Sequence, residues 1–233
     1  MSEKYIPEAA TGVENWDTFY TRLKNFPPQD RMKIMGSYIH SKYAHNYDNQ
    51  RRISGERKFE HPRHTALILI DELHITNPAI ICAAFLHETK EDTAIFGNPK
   101  KMTPPDYEEF SSAFIAHIFY PQTAEIVTAL TEPYVDGVVI TSDYHAKQVK
   151  YERLRSASEE AILVKMADRL QSLRTFYIKE GQLTPEERIR ETEDILMPIF
   201  ERARGKYPEE TAYLMGEIKK AIQKLRERSF VQK

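Results

Sequence analysis

The sequence predicts an all-α bundle of about ten helices with no significant sheet. Three observations carry that prediction. Apolar residues recur at three- and four-residue intervals through most of the 233 residues. Proline, glycine and helix-capping threonine or asparagine divide those stretches into units of helical length. Only the stretch around Val138, Val139 and Ile140 has strand character, and it is too short to build a sheet.

In chain order, Trp16, Phe19, Tyr20, Leu23 and Phe26 follow helical spacing, and Pro27-Pro28 ends that helix. A second helix is expected from Gln29 to Ala44, with Met32, Met35, Ile39 and Tyr43 as its inner stripe. Residues 45–60 are polar, carry Arg51, Arg52, Arg57 and Lys58, and contain the turn signal Ser54-Gly55, so they read as a basic loop. His61-Pro62 opens a helix with Ala66, Leu67, Ile70 and Leu73 inward. Asn77-Pro78 supplies an N-cap and a first-turn proline for the next. Thr103-Pro104-Pro105-Asp106 is another start signal, for a helix burying Tyr107, Phe110, Phe114 and Ile118. Pro121 restarts the chain for Ile126, Val127 and Leu130. Around Asp168, the residues Ile162, Met166, Leu170 and Leu173 recur at helical spacing. Thr184-Pro185-Glu186-Glu187 is a capping-box start, for a helix that Pro198 should kink. A last amphipathic helix holds Leu214, Ile218, Ile222 and Leu225. The expected organisation is a domain over residues 1–180 with a helical pair, residues 181–233, packed on it.

A hydrophobic content of 41% with 29% charged residues is that of an ordinary soluble globular protein. The formal charge of -2 makes no case for nucleic acid or an anionic membrane as partner. The longest apolar run, Ala79–Leu86, is too short to span a bilayer, and the N-terminus lacks the order of a secretory signal. Cys82 lies inside that run as an inert thiol. A cytoplasmic location is expected, and a homo-oligomer is left open.

The chemistry centres on Phe85–Thr93. On one continuous helix, His87, Glu88, Glu91 and Asp92 fall at about 0°, 100°, 40° and 140° around the axis. Carboxylates so crowded repel one another unless something positive sits among them, and a divalent cation suits imidazole and carboxylate ligands. The same residues also fit a solvated helix end. Asp168 alone reads equally as a buried acid satisfied by Lys165 or Arg169. The histidines His40, His45, His64, His74, His117 and His145 read as structural or exposed, with His45 the one best placed to lie near a site.

Taken together, the motifs form an ordered set: Ala44-His45, Arg52-Ile53-Ser54-Gly55-Glu56, His61-Pro62, His87-Glu88 with Glu91-Asp92-Thr93, and Val164-Lys165-Met166-Ala167-Asp168-Arg169-Leu170 with Arg174-Thr175. In this order and spacing, across residues 38–178, the chain resembles the HD-domain hydrolases of the guanosine alarmone (p)ppGpp. The resemblance implies a helical fold holding one Mn²⁺ through two histidines and two aspartates. His61, His87 and Asp168 match those ligands directly, and Glu88 stands where the family has aspartate. The extra methylene displaces a carboxylate by about 1 to 1.5 Å, against a ligand tolerance of about 0.2 Å. Glu91 and Asp92 match the acidic pair of hydrolase-competent members. Arg52 matches the arginine near the guanine base, Ile53 replaces a lysine, and Gln171-Ser172 replaces a His-Asn pair. Ser54, Lys165, Ser172, Arg174 and Thr175 are the further expected nucleotide contacts. The implied reaction removes the 3′-pyrophosphate, and because residues 181–233 read as helices alone, hydrolysis without synthesis is expected. Rival readings are a phosphohydrolase of another nucleotide, such as one acting on the 3′-phosphate of NADPH, and a non-catalytic nucleotide-binding module.

Overall fold

The computed structural model describes residues 16–46, 52, 55–97, 103–131, 134–135, 138–139, 144–176 and 184–231. At its centre is α4 (Pro78–Leu86), in which every residue from Ala79 to Leu86 is buried. A helix apolar on all sides must be covered on all sides. α2 (Pro28–Asn46), α3 (Glu60–Leu67), α7 (Pro121–Leu130) and α9 (Glu159–Arg174) supply that cover. The Asn77 side chain accepts from the Ala79 backbone N–H at 2.9 Å, and Pro78 occupies the first turn, as the sequence predicts.

The remaining elements build outward. α1 (Trp16–Arg22) brings Phe19 against Tyr38 of α2, the rings stacked 4.8 Å apart. α5 (Thr89–Asp92) is one short turn, and α6 (Pro104–Ile118) pairs with α7. Strands β1 (Tyr134–Val135) and β2 (Val138–Val139) form a minimal antiparallel hairpin, the whole strand content among the described residues. α8 (Tyr144–Ser156) leads into α9, whose start is capped by Ser158. α10 (Pro185–Arg190) begins with the capping box of Thr184 and Glu187. The chain then widens into a π-type turn over Glu191–Leu196 before α11 (Met197–Phe200). Pro198 has no N–H for the Asp194 carbonyl, so the expected kink takes this form. α12 (Pro208–Val231) closes the bundle against α9. No helix among the described residues is long and apolar enough to cross a membrane.

Two expected faces turn out otherwise. On α2, Met32 and Tyr43 are 75% and 74% exposed and Ile39 is also exposed, while Ile34, Met35 and Tyr38 pack inward with Ser37, Ser41 and His45. That helix carries apolar residues on two sides, so periodicity alone could not select the buried one. On α6, Tyr107 is buried but Phe110 and Ile118 are exposed. The expected continuous helix through Asp92 is broken as well: α4 ends at Leu86, and α5 starts at Thr89. The His87 Nδ1–H donates to the Ala84 carbonyl at 2.8 Å, the acceptor that the Glu88 N–H would use in a continuing helix. Thr89 Oγ1 likewise donates to the Leu86 carbonyl at 2.6 Å.

Candidate metal centre and active site

Three segments converge on one point: the start of α3 brings His61, the break between α4 and α5 brings His87 and Glu88, and the middle of α9 brings Asp168. His61, His87 and Glu88 each offer a ligand atom within 4.8 Å of the others. Asp168 Oδ1 lies 2.8 Å from His61 Nε2 and 3.8 Å from His87 Nε2. Glu88 Oε1 lies 3.3 Å from His61 Nε2 and 4.0 Å from His87 Nε2. The longer glutamate reaches the cluster because it sits in the turn, with φ -98° and ψ -6°, rather than in a regular helix.

Both imidazoles are oriented by their far nitrogens. His61 Nδ1 is hydrogen-bonded to Gln171 Oε1, and His87 Nδ1 donates to the Ala84 carbonyl. Each ring therefore turns Nε2 toward the other's, the arrangement a metal-binding histidine needs. His87 Nε2 is buried without a hydrogen-bond partner among the described residues. Burial pushes the His87 ring toward neutrality, more than the nearby Glu88 and Asp168 charges oppose it. Burial also disfavours charge on His61, but Glu88 and Asp168 outweigh it and raise its pKa. Burial pushes the Asp168 carboxyl up, yet Lys165, His61 and His87 hold it well below the usual carboxylate range. Glu88 is likewise opposed by burial and lowered by His61, His87 and Arg52. Two imidazole lone pairs and two ionised carboxylates around one point fit a divalent transition ion, and the orphaned His87 Nε2 is the atom such an ion would satisfy.

The acid pair follows on α5. Asp92 Oδ2 lies 3.0 Å from Lys58 Nζ, and Glu91 Oε1 lies 3.9 Å from Lys150 Nζ. This one-turn helix is too short to hold itself, and Lys90 anchors it. The Lys90 ammonium, with no solvent exposure, contacts Glu108 Oε1 at 2.6 Å, Ser112 Oγ at 3.3 Å and Thr128 Oγ1 at 3.4 Å. The Tyr107 hydroxyl donates to the Lys90 carbonyl at 2.9 Å.

The expected nucleotide contacts are distributed unevenly. The Arg52 charge acts on both His61 and Glu88, which puts it beside the cluster. Its loop closes through Arg52 N–H to Glu56 carbonyl and Gly55 N–H to Arg52 carbonyl, each at 2.8 Å, with Gly55 at φ +87°. Ser54 lies outside the described residues. Lys165 donates to Asp168 Oδ2, and Ser172 is half-buried on α9. The Arg174 guanidinium is held by both oxygens of Glu72, at 2.6 and 3.1 Å, and by Glu217 of α12 at 2.9 Å. The Thr175 hydroxyl donates to the Gln171 carbonyl at 2.9 Å, closing the end of α9. Sequence reasoning missed the roles of Gln171 and Lys90, while His45, expected as the histidine best placed to lie near a site, is acted on by the charges of Glu88 and Asp92. Gln171 was findable, since it stands three residues after Asp168 and so on the same side of α9.

The HD domain family model matches residues 38–204, from the second half of α2 to the turn after α11. The chain belongs to the HD-domain family. Among curated relatives of this HD domain, a guanosine-3′,5′-bis(diphosphate) 3′-pyrophosphohydrolase, MESH1, of Danio rerio is 33% identical over 145 residues, covering 61% of this chain and 67% of that protein. A probable guanosine-3′,5′-bis(diphosphate) 3′-pyrophosphohydrolase of Mycoplasma genitalium is 36% identical over 99 residues, 42% of this chain and 11% of that protein. The GTP pyrophosphokinase rsh of Brucella ovis is 29% identical over 187 residues; the match covers 78% of this chain but only 22% of that much longer protein. These matches group the HD domain with the ppGpp hydrolases of its family. A solved structure described as a metazoan ortholog of SpoT that hydrolyzes ppGpp superimposes with a TM-score of 0.58 at 21% identity, over 84% of this chain and 95% of that one. That agreement concerns the fold.

Proposed function

We propose that this HD domain is a metal-dependent hydrolase that removes the 3′-pyrophosphate from guanosine 3′,5′-bis(diphosphate) or its pentaphosphate, leaving GDP or GTP. The observation carrying the proposal is the convergence of His61 Nε2, His87 Nε2, Glu88 and Asp168 next to the acid pair Glu91-Asp92. The relatives named as pyrophosphohydrolases of this nucleotide support the choice of substrate.

His61, His87, Glu88 and Asp168 would hold the ion, and Mn²⁺ suits the mixed imidazole-carboxylate set better than Mg²⁺, which prefers oxygen alone. Such an ion supplies Lewis acidity toward a phosphoryl oxygen and toward a water. Glu91 and Asp92 orient the attacking water and take its proton. Arg52 engages the nucleotide base or phosphates through its planar guanidinium. Lys165 and Ser172 of α9 and Ser54 are the nucleotide contacts of this reading, and Arg174 with Thr175 fix the end of α9. Residues 1–180 form the catalytic unit in this reading, and residues 181–233 buttress α9 from outside. In this reading the HD domain works in the cytoplasm on a small nucleotide and needs neither nucleic acid nor a membrane; a homo-oligomer is compatible with it.

The test is metal analysis of the purified protein followed by a panel of (p)ppGpp, GTP, dNTPs and NADPH with Mn²⁺ present. Turnover confined to (p)ppGpp supports the proposal. Ile53, Gln171 and Ser172 in place of the family's usual residues favour a second reading, another nucleotide such as NADPH, and preferential turnover of NADPH would select it. Tight nucleotide binding without metal or turnover would reduce the chain to a binding module.

A further inference from the structure

His45, in the last turn of α2, is 1% exposed, yet neither of its ring nitrogens has a hydrogen-bond partner among the described residues. The end of α2 packs on α5, and the charges acting on His45 come from Glu88, Asp92, His87 and Lys58, so the ring lies close to the candidate ligands and the acid pair. A buried imidazole with both nitrogens idle is costly, and buried polar groups in folded proteins almost always have partners. Burial holds its pKa down at about 4, so at neutral pH the ring is uncharged and offers one N–H donor and one lone pair.

What kind of partner fits is decided by the neighbours. The Glu88 and Asp92 carboxylates and the His87 Nε2 lone pair only accept hydrogen bonds. Of the groups acting on His45 itself, the cation is the Lys58 ammonium, 29% exposed and resting on Asp92 at 3.0 Å. A phosphoryl group is an acceptor-only anion. Beside several carboxylates it can settle only against donors and cations.

We propose that His45 and Lys58 form a phosphoryl-binding pair, the His45 N–H and the Lys58 ammonium each donating to an oxygen of the phosphoryl group that is cleaved. The assignment rests on the phosphohydrolase reading of the site and adds a contact that the family motifs leave without a role. A phosphoryl oxygen that draws Lys58 away also frees Asp92 to face the attacking water, so substrate binding and readiness of the base are linked through one ammonium. The lone pair on the other His45 nitrogen is available to a water.

The probe is inorganic phosphate, titrated into the protein loaded with one equivalent of Mn²⁺. Its binding is read from ³¹P relaxation and Mn²⁺ affinity from electron paramagnetic resonance. His45→Ala and Lys58→Met are expected to weaken phosphate by about ten- to a hundredfold, the scale of a lost hydrogen bond to a charged group. Mn²⁺ affinity should change by less than about threefold, since neither residue is a ligand. Lys58→Arg and His45→Gln, which keep a donor, should recover part of the loss. With (p)ppGpp the Lys58 variant should show a raised KM together with a lowered kcat. Phosphate affinity unchanged in both His45→Ala and Lys58→Met, with metal retained, overturns the proposal. If His45→Ala melts early, the exposed-edge Lys58 variants decide alone. A wild-type protein that binds phosphate through this pair but turns over no alarmone sinks the substrate reading and leaves the pair standing. Turnover of (p)ppGpp by His45→Ala and Lys58→Met with wild-type KM does the reverse.

Discussion

Replacing Gln171 with leucine isolates one hydrogen bond on which the candidate metal centre should depend. Gln171 is 3% exposed, and its Oε1 is hydrogen-bonded to His61 Nδ1. With no ion bound, a His61 deprived of that acceptor can shift its proton to Nε2 and donate to Asp168 Oδ1, 2.8 Å away. Binding an ion takes the Nε2 lone pair and forces the proton onto Nδ1, now facing leucine. The unsatisfied buried N–H costs about 1–3 kcal/mol, paid only in the metal-bound state. At 1.4 kcal/mol per tenfold, Mn²⁺ affinity falls by about 5- to 150-fold. Isothermal titration with Mn²⁺ on wild type and Gln171→Leu measures this directly, with thermal melting of the metal-free proteins as the control. Gln171→His, which restores an acceptor nitrogen, should recover most of the affinity. A Gln171→Leu protein that binds Mn²⁺ as tightly as wild type would refute the argument that this hydrogen bond selects the tautomer.

Glu91→Gln should keep the metal and lose at least about 100-fold in kcat, the scale of general base catalysis; single-turnover assays beside metal analysis would check it, and a full rate would remove Glu91 from the mechanism. The Lys90 anchor should respond asymmetrically. Glu108→Leu strands a buried ammonium and should cost about 3–5 kcal/mol, whereas Lys90→Met leaves only a partly exposed carboxylate and should cost far less; denaturant melts compare the two. Burial pushes the Glu191 carboxyl up, but Arg169, Tyr151 and Arg188 outweigh it and hold its pKa at about 2 against an ordinary 4.5. A depressed carboxylate stabilises the fold above the ordinary pKa, and that stability is lost as pH falls from about 4.5 through 2, at most about 3 kcal/mol. Glu191→Gln should therefore flatten the acid limb of the stability profile in that window while lowering stability at pH 7. Arg174→Ala, which releases a part-exposed pair with Glu72 and Glu217, should cost about 1 kcal/mol in thermal melts.

Much of the architecture is written in local signals. Asn77-Pro78, Thr103-Pro104 and Thr184 with Glu187 each start a helix where their side chains dictate, because a cap acts within one turn. The unbroken apolar run Ala79–Leu86 announced the central helix, since no solvent-facing side exists for it. The order of the His61, His87-Glu88 and Asp168 motifs likewise identified the family. Faces were less legible: α2 offers apolar residues to two directions, and whether Met32 or Ile34 turns inward depends on what packs against it.

What the sequence could determine by itself was which residues are candidates for the chemistry and where the helices begin. Only the tertiary structure decided how that chemistry is assembled. It ended α4 at His87 by giving the Ala84 carbonyl to the imidazole, which let Glu88 stand in for a shorter acid. Across the bundle it brought Gln171 to His61, Lys58 to Asp92 and Lys90 to Glu108, partners separated by 110, 34 and 18 positions. Helical periodicity records which side of a segment avoids water. It does not record the partner across the gap, and a tautomer, an anchored turn and an idle buried imidazole are all set by that partner.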